Sequence, residues 1–141
     1  THCDTEVILY AWQAWGAACV QRFRGMFAFG LYDRVARSLF LARDRFGVKP
    51  LFYSVLPDGQ LIFGSELKVL KAHPQLSRQL EPRAVEDYFA LGYVPEPKTI
   101  YRDVYKLRPG HTLLLRHGEP VPALRMNRDN WRSATHTGLT G

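Results

Sequence analysis

The chain has only two cysteines, Cys3 and Cys19, in 141 residues. That is too few for a disulfide framework, and they lack the paired spacing of structural zinc. No apolar run approaches the ~18 residues that a membrane span needs, and the N-terminus lacks the charged-then-apolar order of a signal peptide. These absences predict a cytoplasmic protein with free thiols and no membrane partner. The five histidines, His2, His73, His111, His117 and His136, are scattered without helical ligand spacing, so no metal site is expected. A phosphate loop and a dinucleotide fingerprint are absent too. Methionine is scarce, and the first is Met26, inside a predicted strand. A missing N-terminal part is therefore expected.

What is present fits one globular domain: 46% of the residues are apolar and 23% charged. The net charge is +6, a balance that raises the case for a polyanionic partner. Between residues 22 and 49, however, seven basic residues stand against two acidic ones. That stretch reads as hairpins, whose ends ordinarily carry solvated charge.

Periodicity supplies the elements. Val7, Ile8, Ala11, Trp12 and Trp15 make the inward stripe of a helix over 5–15, with Asp4 as its N-cap and Gly16 as its stop. A shorter helical stretch over 17–23 turns Cys19, Val20 and Phe23 inward. Residues 26–32, 38–42, 51–55 and 60–64 alternate or run apolar as strands, with Pro57-Asp58-Gly59 as a turn. They predict an antiparallel meander, apolar on both faces and so covered on both sides. Ser65 is the expected N-cap of a short helix through Glu66, Leu67, Val69 and Leu70 that ends near His73-Pro74. A further helix starts after Glu81 at Pro82, shows Val85, Tyr88 and Phe89 on one side, and stops at Gly92. A last strand is expected at 111–116. The tail from about residue 119 to 141 lacks apolar periodicity and reads as disordered or foreign to the domain.

Three local patterns carry candidate chemistry. The segment from Arg24 to Tyr32 comes near the stacking strand of an RNA-recognition module. Met26 is an insertion in that pattern, and a helix replaces the companion strand, so Phe27 and Phe29 are read as core. A small basic RNA-binding module stays as the alternative function. Ser65 and Lys68 have the spacing of a serine nucleophile and its base, yet the companion Ser-Asp-Asn and Lys-Thr-Gly motifs are absent. Capping is the expected role of Ser65. Thr1 and Cys3 invite an N-terminal-nucleophile reading, which an artificial chain start weakens.

Five ordered segments remain. They are Thr1 to Val7; Gly25 to Phe29 with Tyr32-Asp33; Ala42 to Leu51 (ARDRFGVKPL); Gly64 to Lys68; and Gly92 to Ile100 running on to Leu107-Arg108-Pro109-Gly110-His111. Together they resemble the glutaminase domain of glutamine-hydrolysing asparagine synthases, members of the class II glutamine amidotransferases. The pattern is most similar to the subgroup associated with bacterial exosortase or exopolysaccharide loci.

The resemblance implies an α+β fold, part of a four-layer α/β/β/α sandwich of the N-terminal-nucleophile hydrolase type with antiparallel sheets. It implies that residues 1–118 are the C-terminal portion of such a domain and 119–141 a divergent tail. Its chemistry is thiolate attack on the side-chain amide of L-glutamine, giving glutamate and ammonia. A second domain, using ATP and magnesium, then amidates aspartate. By the same resemblance Asp4 binds the α-ammonium of glutamine. The nucleophilic cysteine, the arginine that clamps the substrate carboxylate and the Asn-Gly oxyanion pair are expected upstream, outside this chain. No catalytic residue, metal or cofactor site is therefore expected within it, and the chain alone is expected to be inactive. The Ser-Gly-Gly-x-Asp-Ser nucleotide loop of the synthetase domain is absent. Arg43, Asp44, Gly47, Lys49 and Pro50 read as scaffold. Expected partners are glutamine, the missing strands and the synthetase domain of a homodimeric parent, with no nucleic acid.

Overall fold

The computed structural model describes residues 3–118. Thr1, His2 and the predicted tail over 119–141 lie outside the described residues. In chain order the elements are helix α1 (Asp4–Trp15), a 3-10 helix (Gly16–Arg22), strands β1 (Ala28–Asp33), β2 (Ser38–Arg43), β3 (Phe52–Val55) and β4 (Leu61–Gly64), helices α2 (Leu67–Lys71) and α3 (Pro82–Leu91), and strands β5 (Val104–Lys106) and β6 (Thr112–Arg116). The class is α+β with antiparallel pairing, as expected.

The single meander is corrected to two three-stranded sheets, ordered β1-β2-β6 and β4-β3-β5. The break falls between β2 and β3. There the chain turns through Gly47 at φ +63°, a conformation L-residues avoid, and Pro50 has no N–H for a ladder. Each hairpin instead takes its third strand from the C-terminal part of the chain.

The chain divides into two compact units. The first holds α1, the 3-10 helix, most of β1 and β2, and β6. Here β2 pairs antiparallel with β6, Phe40 opposite Leu114 and Leu41 opposite Leu113. Opposite residues share a face, so both faces of this pair are apolar, and Phe40, Leu41, Ala42 and Leu113 are all buried. Helix α1 lies over the Phe40 face, with the Trp12 and Phe40 ring centroids 5.0 Å apart.

Two sequence expectations for α1 change. The N-cap is Cys3, whose carbonyl accepts the first helical bond from Val7 N–H (3.2 Å), and Asp4 is already the first helical residue. Cys3 has the extended backbone of a cap, φ −99° and ψ 139°; a cap is defined by its carbonyl and dihedrals, and neither requires a side-chain oxygen. Only Ala11 of the predicted stripe is fully buried, whereas Val7 and Trp15 are about half exposed. Trp15 turns toward Arg22, whose guanidinium sits 4.3 Å from the ring centroid. Cys19 of the 3-10 helix is buried as expected, and burial raises its thiol pKa.

The second unit comprises Met26–Phe29 and Arg43–His111. Strand β3 is central, pairing antiparallel with β4 (Tyr53 opposite Phe63) and with β5 (Tyr53 opposite Tyr105). One face of this sheet, carrying Phe52 and Val104, joins Leu56, Leu70 and Leu76 in a core flanked by Ile62, Leu67 and Tyr101. The cap of α2 is Glu66, not Ser65, because the Glu66 carbonyl receives Val69 N–H. Helix α3 begins and ends as predicted: the Glu81 side chain accepts Arg83 N–H, Pro82 opens the first turn, and Gly92 closes it. Its buried residue is Ala84, while Tyr88 and Phe89 are exposed. The ion pair of Lys98 with Asp87 ties α3 to the following segment.

Candidate functional site

The buried polar centre of the second unit is the loop after β2. Asp44 has no solvent exposure. Its Oδ1 accepts Phe46 N–H (2.9 Å) and Gly47 N–H (2.8 Å), and its Oδ2 accepts Phe27 N–H (3.3 Å). Its backbone bonds both ways as well, donating to the Phe27 carbonyl and accepting Gly110 N–H, each at 2.8 Å. Burial by itself would push this carboxyl up. The N–H groups of Phe46, Gly47, Phe27 and Val48 outweigh it and hold the pKa below the usual carboxylate range.

Arg43 is only 5% exposed. Its guanidinium donates to the carbonyls of Lys49 (2.8 Å), Gly47 (2.6 Å) and Leu107 (2.6 Å) and to the Glu96 carboxylate (3.0 Å). The charge of the 22–49 stretch is therefore not all solvated. Arg43 and Asp44 are neighbours in sequence, yet they hold the loop through different groups, carbonyls for Arg43 and N–H groups for Asp44, and share only Gly47. This assembly presents Phe46 (83% exposed) and Val48 outward. The Arg43 guanidinium and the Asp44 carboxylate are both taken up by loop contacts, which is what a scaffold does.

Gly47 is held between the two. A Cβ on it would lie 2.5 Å from Pro109 Cγ and 3.2 Å from Arg43 Cζ. Left-handed backbone in a non-glycine residue costs about 1–2 kcal/mol, and the displaced proline adds to it. Gly47→Ala is expected to lower stability by about 2–3 kcal/mol, measured by urea denaturation. A wild-type midpoint would show that the loop accommodates the methyl group.

In the first unit, Asp4 is exposed in the first turn of α1 beside Glu6. Its carboxylate stands at the positive end of the helix dipole, where an ionised carboxylate is favoured. The adjacent Cys3 thiol is exposed, and the N–H and hydroxyl of Thr5 hold its pKa below the usual thiol value. Two features of this unit went unread in the sequence: the Trp12 indole donates to Asp33 Oδ2 (2.9 Å), and Asp33 Oδ1 accepts Val35 and Ala36 N–H (2.9 Å each). Trp12 falls on the apolar stripe in the sequence, and nothing in a linear pattern marks a bond across 21 positions.

The remaining candidates dissolve. Ser65 and Lys68 are exposed, and Lys68 is paired with Glu66 at 2.7 Å, which raises its pKa and keeps it protonated, the wrong state for a base. Phe27 and Phe29, expected in the core, are half-buried against one another with ring centroids 5.8 Å apart. The bond from Asp44 pins the backbone at Phe27. Among the described residues no group of three or more His, Cys, Asp and Glu side chains is placed to hold a metal ion. No helix of the described residues is long and apolar enough to cross a membrane.

The fold and these two polar centres define a mixed α and antiparallel β domain in which the buried Arg43 and Asp44 hold a loop and the partly exposed Asp33 closes a turn. Comparison with known proteins gives the family. Residues 1–123 match the model of the glutamine amidotransferase domain. The chain is 41% identical over 127 residues to a Mycobacterium tuberculosis protein provisionally named an asparagine synthetase (glutamine-hydrolysing), covering 88% of this chain and 19% of that protein. It is 39% identical over 111 residues to the Bacillus subtilis asparagine synthetase (glutamine-hydrolysing) 3, covering 78% and 18%. It is 33% identical over 117 residues to the amidase chry2 of Gibberella zeae, covering 82% and 16%. The chain belongs to the glutamine amidotransferase domain family. It spans about a fifth of the length of the relatives it matches.

Proposed function

We propose that this chain is the glutaminase part of a glutamine-hydrolysing asparagine synthase, in which glutamine is split to glutamate and ammonia and the ammonia amidates aspartate. The observation that carries the reading is the amidotransferase match across residues 1–123. The names of the relatives support the synthase assignment. Within the reading, the four-layer sandwich is the architecture of the whole domain, the setting is the cytoplasm, and the subgroup is the one associated with exosortase or exopolysaccharide loci. The attacking thiolate, the arginine clamp and the oxyanion donors are supplied by polypeptide outside these 141 residues. The partners are L-glutamine and a synthetase domain, within a homodimeric parent. ATP and magnesium serve that synthetase domain. The residues of this chain do not fit them, since the nucleotide loop is absent from its sequence and no metal-holding group exists among the described residues.

The contribution of this chain to glutamine binding is Asp4. An ionised carboxylate in the first turn of α1 has an exposed oxygen that pairs with a substrate α-ammonium through a charge-assisted bond. In the enzyme that carries this domain, Asp4→Ala is expected to raise the KM for glutamine by about tenfold or more, since a bond to a charged group contributes about 1.5–3 kcal/mol. Ammonia-dependent synthesis, which bypasses glutamine, should keep its rate. Loss of both activities together would overturn the assignment of Asp4.

A further inference from the structure

Asp4 sits at one end of α1, and the seating of that helix is unusual. Its outer apolar residues Val7, Leu9, Tyr10 and Trp15 are exposed, and Ala11 is its only fully buried residue. Apolar contact alone leaves a helix free to slide or tilt, because the hydrophobic effect has no direction. Among the described residues, a directional tie fixes it to the sheet: the indole of Trp12 bonded to Asp33 at the end of β1, beside the Trp12–Phe40 ring contact. The two carboxylate oxygens divide the work. Oδ1 closes the β1–β2 turn through Val35 and Ala36, and Oδ2 faces the indole.

We propose that Asp33 is a positioning residue for the glutamine site: through Trp12 it sets the seat of α1 and thereby the place of the Asp4 carboxylate. This rests on the reading of Asp4 as the ammonium ligand. Trp12 lies eight residues from Asp4, about 12 Å along the helix at 1.5 Å per residue. A tilt of about 10° about Trp12 would move Asp4 by roughly 2 Å, beyond the reach of a charge-assisted bond at 2.7–2.9 Å.

Two variants cut the tie and spare its surroundings. Asp33→Asn keeps an oxygen for the turn but turns an amide NH2 toward the indole. Trp12→Phe removes the donor and keeps a ring on Phe40. In the 141-residue chain, each should speed amide exchange over residues 6–11 by about tenfold while β2 amides keep wild-type protection. The Trp12 indole N–H resonance should shift in Asp33→Asn. In the glutaminase assay on the enzyme that carries this domain, each should raise the glutamine KM about three- to tenfold with kcat changing less. The double variant should be no worse than the more severe single one, as expected when both cut one link. Unchanged exchange in α1, additive effects of the two changes, or an unchanged KM in a background where Asp4→Ala raises it would overturn the role of Asp33 and leave the Asp4 reading intact. An Asp4→Ala control without effect on KM would overturn the Asp4 reading, and this inference with it. If Asp33→Asn fails to fold, Trp12→Phe decides the question by the same readouts.

Discussion

Asp44→Ala is expected to lower stability by about 4–6 kcal/mol, a large part of the 5–15 kcal/mol that holds a typical domain together. The side chain has no solvent exposure and serves three backbone N–H groups, those of Phe46, Gly47 and Phe27. Each group left buried without an acceptor costs about 1–3 kcal/mol. Asp44→Asn should cost about half as much, because its carbonyl still serves Phe46 and Gly47 while its amide opposes Phe27 N–H. The same carboxylate makes stability depend on acid. Its pKa is lower in the folded chain than in the unfolded one, so its stabilisation is complete well above the unfolded value of about 4. It is lost as the pH falls through the folded-state pKa, where the carboxyl takes up a proton. Chemical denaturation from pH 7 down to 3 checks both claims: the wild type should weaken on the acid side, and Asp44→Asn should show a shallower slope. Equal slopes would mean that other carboxylates, Asp33 among them, carry the acid sensitivity.

Arg43→Met should cost about 3–5 kcal/mol, the range for breaking a buried ionic network from one side. Methionine fills the volume of the stem but leaves the carbonyls of Gly47, Lys49 and Leu107 without donors. Arg43→Lys should recover little, since one ammonium on a flexible stem cannot reach three carbonyls and the Glu96 carboxylate in the directions the planar guanidinium serves. Thermal unfolding of the two variants separates the explanations. A lysine variant of wild-type stability would show that the positive charge alone suffices.

Helix boundaries were legible where a residue type compels a conformation. Gly16 and Gly92 stop α1 and α3, and Pro82 opens α3, because glycine tolerates left-handed backbone and proline suits a first turn. Strands β1 to β4 and β6 were legible from alternation or apolar runs. Strand β5 was not: three residues, Val-Tyr-Lys, carry no period, and they become a strand only because β3 has a free edge. The division into two sheets was hidden for a related reason, since pairing partners are chosen by tertiary contact. Burial was overread on the helices, where Val7, Trp15, Tyr88 and Phe89 fall on apolar stripes and stay exposed. As for the site, Arg43, Asp44, Gly47, Lys49 and Pro50 of ARDRFGVKPL were visible as scaffold. The partner of Arg43 was not, because Glu96 lies 53 positions away between two prolines.

Strand β2 acquires its second neighbour, β6, only from residues 112–116, and Arg43 bonds the carbonyl of residue 107. During synthesis on the ribosome, the emerging polypeptide therefore carries an apolar strand with one open edge until residue 116 has been made, and a guanidinium that lacks its Glu96 and Leu107 partners until residue 107. Open edges of this kind invite intermolecular pairing. Production of shortened versions that stop before residue 107 should accordingly yield inclusion bodies, and chaperone supply will govern how much of the longer chain is recovered in soluble form.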